Sequence, residues 1–156
     1  MKKIVLIITI IFISISTLNA QNIKLAILDF ENTSGTDKYN GLTDAISFLL
    51  FSDIMDSLKD KYELIDVSVF KQRPNLLLPP INSNNLDSVY KIGIELKLDK
   101  IIYGKVIVLD ENLKLEAKCY NILTREITFS LLVEDSLKNW LILKTDLANK
   151  IIEKLN

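Results

Sequence analysis

The hydrophobic positions of the chain change period several times, and each change marks an expected element. In IKLAILDFENTSG, Ile23 to Gly35, a nearly continuous apolar run from Leu25 to Phe30 stops in a polar loop that ends in glycine. That pattern predicts a central strand buried on both faces, delivering Asp29–Gly35 to the edge of a sheet. From Asn40, expected as N-cap, to about Lys61, the residues Leu42, Ala45, Ile46, Leu49, Leu50, Ile54 and Leu58 recur at helical spacing. Ser47, Ser52, Asp53, Asp56, Lys59 and Asp60 mark the wetter side of this helix. Phe48 and Phe51 widen the apolar stripe; a broad core face is the simpler reading and a second contact surface the sharper one.

Tyr62–Phe70 predicts a second strand. In the segment Lys71–Asn85 that follows, Pro74, Pro79 and Pro80 forbid regular structure. Leu76, Leu77, Leu78 and Ile81 in this loop either pack over the core edge or form an apolar anchor for a partner protein. Leu86–Leu98 reads as a second helix with Leu86, Val89, Tyr90, Ile92 or Gly93, and Leu96 inward. Lys100–Leu109 has the aliphatic density of another central strand. After a turn at Asp110–Asn112, Leu113, Leu115, Ala117 and Cys119 alternate with Lys114, Glu116, Lys118 and Tyr120, which predicts a half-solvated antiparallel strand with Cys119 buried and inert. A turn at Asn121–Thr124 leads to Arg125–Val133, with Ile127, Phe129, Leu131 and Val133 on the inner face. Ser136 is expected to cap a last helix, Leu137–Leu155, whose stripe is Leu137, Trp140, Leu141, Leu147, Ala148, Ile151, Ile152 and Leu155, with Lys138, Lys144 and Lys150 on the opposite side. The fold class is therefore α+β: a single mixed sheet of about five strands in the order β-α-β-α-β-β-β-α, covered by helices.

Ahead of this pattern, Lys2 and Lys3, the apolar stretch Ile4–Ile15 and the small and polar stretch Ser16–Ala20 have the three parts of a secretory signal peptide. Cleavage between Ala20 and Gln21 would leave residues 21–156 as one domain with no transmembrane segment. The periplasm is the expected location, with secretion or anchoring by an uncleaved signal as the alternative. No cysteine lies near that cut, so a lipoprotein is not expected, and Cys119, the single cysteine, excludes an internal disulfide. A net charge of -1 leaves no basic surface for nucleic acid or for an anionic membrane.

With no histidine in the chain, imidazole acid–base chemistry and His-metal sites are excluded, and Gly35, Gly41, Gly93 and Gly104 are too dispersed for a phosphate-binding loop. No cofactor is expected. Asp29 and Glu31, two apart at a strand end, are the candidates for an acid–base pair or a hard-cation site. Turn-forming hydrogen bonds by Asp29, Asn32 and Ser34 are the plainer explanation of that loop.

Two blocks carry a family resemblance. LAILDFENTSG, Leu25 to Gly35, with Gly41 and Leu42 at the following helix start, and KIGIELKLDKIIYGKV, Lys91 to Val106, with Gly93, Asp99 and Gly104, resemble exported bacterial domains similar to the amino-terminal domain of TolB. That group includes the curli-secretion protein CsgG and lipoprotein activators of penicillin-binding proteins. The resemblance covers Ile23 to Leu155 and implies an anticodon-binding-like architecture in which Gly93 and Gly104 let helix and sheet approach closely. Lys97 and Arg125 stand where the family carries a small residue and a glycine, so those turns are expected to use other backbone geometry. The chain is too short and continuous to spare the membrane-spanning hairpins of a CsgG-like pore, so only the soluble domain is implied. The expected function is a non-enzymatic periplasmic interaction or adaptor domain of an envelope assembly or secretion system, with envelope proteins as partners and homo-oligomers open. Phe30, Asn32, Leu76, Leu77, Leu78 and Ile81 are the candidate contact residues. The alternative is a small-ligand or divalent-cation binder using the Asp29–Gly35 loop.

Overall fold

A computed structural model describes residues 22–66 and 85–156. The expected leader with its Ala20–Gln21 cut, the far part of the second expected strand and the expected apolar loop with Leu76, Leu77, Leu78 and Ile81 lie outside the described residues. The described chain runs β1 (Ile23–Ile27), β2 (Glu31–Asn32), α1 (Asn40–Leu58), β3 (Tyr62–Ile65), α2 (Leu86–Glu95), β4 (Lys100–Leu109), β5 (Asn112–Asn121), β6 (Glu126–Ser136) and α3 (Trp140–Leu155). These strands form one mixed sheet in the order β3-β1-β4-β5-β6, with β2 beside β4. β1 is parallel to both neighbours, Leu25 standing opposite Leu64 and Lys100, and β4-β5-β6 is an antiparallel meander.

The two faces of β1 explain its apolar run. Leu25 and Ile27 point into the larger core with Ile46, Leu50 and Ile54 of α1 and Leu147 and Ile151 of α3. Ala26 and Leu28 point into a smaller core with Val89 and Ile92 of α2. One helical layer therefore covers each face, and no residue between Leu25 and Leu28 can be polar without desolvation.

The sheet has six strands rather than about five, because the run is interrupted. The Leu28 amide still bonds the Ile102 carbonyl at 2.8 Å, Asp29 turns outward, and pairing with β4 resumes at β2, where Glu31 faces Lys105. Asn40 does not cap α1. A 3-10 turn, Asp37–Tyr39, precedes the helix, with Thr36 capping it through the Lys38 amide, and Asn40 already has helical dihedrals. Helical phase shifts in the same way before α3, where the 3-10 turn Leu137–Asn139 replaces a Ser136 side-chain cap. Leu137 and Trp140 pack half-buried against the larger core as expected, but the fully buried part of the α3 stripe runs from Leu143 and includes Lys144, while Leu141 is exposed. Lys144 reaches Asp53 of α1 at 2.5 Å, so two residues expected on wet surfaces bridge the helix pair instead.

On β5 the predicted inner face is buried from Leu113 to Cys119, and burial pushes the Cys119 thiol up. Tyr120, expected on the wet side, is buried beneath α2, which covers only that end of the outer face. On β6 a bulge overturns the expected inward position of Ile127: Cys119 pairs with Phe129 and Tyr120 with Ile127, leaving Thr128 as the extra residue. Paired residues share a face, so Ile127 leaves the inner row and is exposed.

Lys97 and Arg125 were expected to avoid the glycine geometry of their turns, yet both adopt it, at φ 53° and 59°. At Lys97 the cause is a Schellman end to α2, in which the Lys97 amide bonds the Ile94 carbonyl and the Leu98 amide the Gly93 carbonyl. Leu98 is thereby drawn into the core. Lys97→Gly should raise stability by about 0.5–1 kcal/mol, the left-handed penalty less the added unfolded-state freedom. Equilibrium urea denaturation reads this; an unchanged or lower midpoint would show that the Lys97 backbone is not strained.

Candidate functional site

The loop that breaks β1 is held by its own polar groups. Asn32 donates from Nδ2 to the Thr36 carbonyl at 2.8 Å and to Asn40 Oδ1 at 2.6 Å, and its Oδ1 accepts from the Ser34 amide at 3.0 Å. Ser34 Oγ in turn accepts from the Val108 amide of β4 at 2.8 Å. Where β1 stops, the Phe30 amide has lost its ladder partner, and Ser47 of α1 takes it: Ser47 Oγ accepts from Phe30 N at 2.9 Å and donates to the Thr43 carbonyl at 2.9 Å. This is why Ser47 is buried rather than on the wet side.

Phe30 was a candidate contact residue, and the structure places it elsewhere. Its ring is buried against Gly104, where an added Cβ would lie 2.5 and 2.7 Å from two ring carbons and would overlap the Glu116 carbonyl oxygen. Gly104 therefore admits a phenylalanine ring and a neighbouring strand, not a helix. Gly93 does serve helix–sheet approach, because a Cβ there would lie 2.7 Å from Ile122 Cγ1 and 3.3 Å from Ile101 Cδ1. Gly35 has φ 75° in the loop, whereas nothing lies within 4 Å of a Cβ at Gly41, which leaves Gly41 no packing role. Asp99 clamps the start of β1: its amide bonds the Lys24 carbonyl at 2.9 Å and its carboxylate accepts from the Lys24 amide at 2.8 Å. The residues of both resemblance blocks are thus largely occupied in holding the fold.

A cleft of about 240 Å³ opens where β1 and β3 end, lined by Ile27, Leu28, Asp29, Asp44, Ser47, Phe48, Phe51 and Asp66. Asp29 is in it; Glu31 lies on β2 beside β4, so the two expected partners are not brought together there. Among the described residues no three His, Cys, Asp or Glu side chains are grouped to hold a metal ion. Phe48 is 71% exposed at the rim, and Met55 follows it on the same flank of α1. Phe48 is therefore surface, whereas Phe51 is half-buried against the larger core, so the broad core face holds for one of the two aromatics.

Tyr103 lies on the α2 side of the sheet, 1% exposed, and its hydroxyl is the one buried side-chain polar atom without a hydrogen-bond partner among the described residues. Burial, with a smaller push from Glu116, raises its phenol to about 12. Below pH 10 both folded and unfolded chains hold this proton. Between pH 10 and about 12 the unfolded chain releases it first, so stability falls as pH rises through that window, by on the order of 2–3 kcal/mol. Tyr103→Phe should shrink this alkaline loss while leaving neutral-pH stability equal or up to about 1 kcal/mol higher. Urea titrations of both proteins at pH 8 and pH 11 check this, and equal alkaline losses would exclude Tyr103 as the cause.

Among the described residues no helix is long and apolar enough to cross a membrane. No family model and no curated protein matches the sequence. Solved structures do resemble the fold. TolB from Acinetobacter baumannii superposes with TM-score 0.52 at 12% identity, over 87% of this chain and 29% of that one. LpoB from Escherichia coli gives TM-score 0.52 at 14% identity, over 75% and 59%. A PelC dodecamer from Paraburkholderia phytofirmans gives TM-score 0.56 at 8% identity, over 86% and 87%. The chain thus spans under a third of the TolB chain and about three-fifths of the LpoB chain that it matches. At these identities the likeness establishes architecture alone: the chain has the α+β, mixed-sheet fold of the matched parts of TolB and LpoB.

Proposed function

We propose that the chain is exported, loses Met1–Ala20, and works in the periplasm as a non-enzymatic protein-interaction domain of a cell-envelope assembly. The observation that carries this reading is Phe48, a large aromatic exposed at the rim of a cleft beside Asp44, on a helix flank that core packing does not explain. Two further features support it. The Asp29–Gly35 loop is tied down by Asn32 and Ser34 in fold-holding hydrogen bonds, and Ser47 of α1 holds the Phe30 amide. The resemblance to exported TolB-like domains implies the same compartment and kind of role. Leu76, Leu77, Leu78 and Ile81 remain a second candidate contact loop.

A photo-crosslinker in place of the neighbouring Asp44 should capture a specific envelope protein in intact cells, and adding Phe48→Lys should abolish that capture with an unchanged thermal midpoint. Failure to capture any partner, together with substrate turnover by the purified protein, would reverse the reading. The position of Asp29 in the cleft favours a second reading, a small ligand or cation bound there. Thermal-shift titration decides it: divalent cations and small metabolites that leave the midpoint unmoved would remove it.

A further inference from the structure

The two ends of the sheet are built differently. β3 has 4 residues, whereas β6 has 11, and among the described residues no strand lies on its outer side. In an antiparallel pair, alternate residues of the outer strand turn their N–H and C=O groups away from the partner, so β6 presents a row of ladder sites to its surroundings. Edges that stay monomeric are blunted by shortness, proline or a central charge. Thr128–Val133, TFSLLV, has no charge, proline or glycine, and its one irregularity is the bulge beside Thr128. Phe129 and Leu131 are only half-buried against the larger core, and Leu132 on the opposite face is 60% exposed.

We propose that β6 pairs antiparallel with β6 of a second copy across a two-fold axis at Leu131, so that one sheet runs through a dimer. The register follows from the strand itself. An axis between two residues would set residues whose N–H and C=O point outward against residues whose groups point back to β5, so no ladder could form. An axis at a residue aligns the outward groups of both copies and keeps the two helical layers on the same face. At Ser130 the pairing window is cut short by the bulge, and at Leu132 it sets Asp135 against Phe129 on the apolar face. At Leu131 it places Phe129 opposite Val133, Leu131 opposite its own copy and Ser130 opposite Leu132. The acids Glu134 and Asp135 stay outside the apolar centre, and the half-buried inner row gains cover. The occupant is a second copy because the same strand supplies both halves of this pattern, as an isologous interface requires.

Sedimentation velocity of the purified chain over a concentration series tests this, with the mass expected to double. In the dimer the exposed positions Ser130 and Leu132 of one copy face Leu132 and Ser130 of the other. The double variant Ser130→Lys with Leu132→Lys should be monomeric at every concentration with its thermal midpoint retained, as should Ser130→Glu with Leu132→Glu. An equal mixture of the two should recover the dimer. A wild-type chain that stays monomeric, a dimer that the lysine pair leaves intact, or a mixture that stays monomeric each overturns the proposal. None of these outcomes bears on capture at Asp44, so the two surfaces are judged separately.

Discussion

Gly104→Ala is expected to lower the unfolding free energy by about 3 kcal/mol, close to 10 °C in the thermal midpoint of a domain of this size. The added methyl would meet the Phe30 ring on one side and the Glu116 carbonyl on the other. The ring could tilt, but the carbonyl belongs to β5, which is paired along its whole length on both sides. Relief therefore requires β4 and β5 to separate or Phe30 to leave its site, and either disturbs the larger core. Gly93→Ala is the informative contrast, since its obstruction is the flexible end of the Ile122 and Ile101 side chains rather than backbone. It should cost less than half as much. Urea denaturation of the three proteins checks the order, and a Gly104→Ala loss below 1 kcal/mol would mean that the strand and ring are not closely packed there.

What could be read from the sequence depended on whether a position was decided by burial or by a specific hydrogen bond. β4 was legible from Lys100 to Leu109 by its aliphatic density, which both faces require only from Ile101 to Gly104; beyond that, Lys105 and Ile107 are half-buried and Leu109 is exposed. The alternation of β5 placed Cys119 correctly, because one face is buried along its whole length. The order of elements followed from the same patterns. Ser47 was misread because a helix stripe does not reveal which carbonyl or amide across the core needs a partner. The Thr128 bulge was equally silent: Ile127 and Phe129 sit two apart, and only the pairing with Tyr120 and Cys119 shows that they lie on different faces. Lys97 and Arg125 adopt glycine-like dihedrals because the Schellman end and the hairpin turn impose them. Arg125 is further held by its guanidinium 4.1 Å from the Tyr90 ring centre and its bond to the Tyr90 hydroxyl at 2.7 Å. At the cleft the aromatic pair was noticed, but the outward turn of Phe48 depends on how α1 rolls against the sheet. Spacing alone does not set that roll.

Phe30→Ala should cost about 3–5 kcal/mol, the range for emptying a buried aromatic site, and its coupling to Gly104 makes the argument sharper than either change alone. If the ring is the main obstacle to a methyl at Gly104, Gly104→Ala in the Phe30→Ala background will cost much less than in the wild type, with an interaction energy of about 1–2 kcal/mol. If the Glu116 carbonyl dominates, the two losses will add. The overlap with that carbonyl is the closer of the two, but a ring can yield where a paired strand cannot, so partial coupling with a substantial residual cost is expected. The cycle also tests what Phe30 at the strand end is for. A buried lock predicts that Phe30→Leu, which refills part of the site, restores more than half of the lost stability and leaves capture at Asp44 intact. A contact residue would instead lose partner capture with Phe30→Leu while stability barely moved, and that result would return Phe30 to the surface that its burial now denies it.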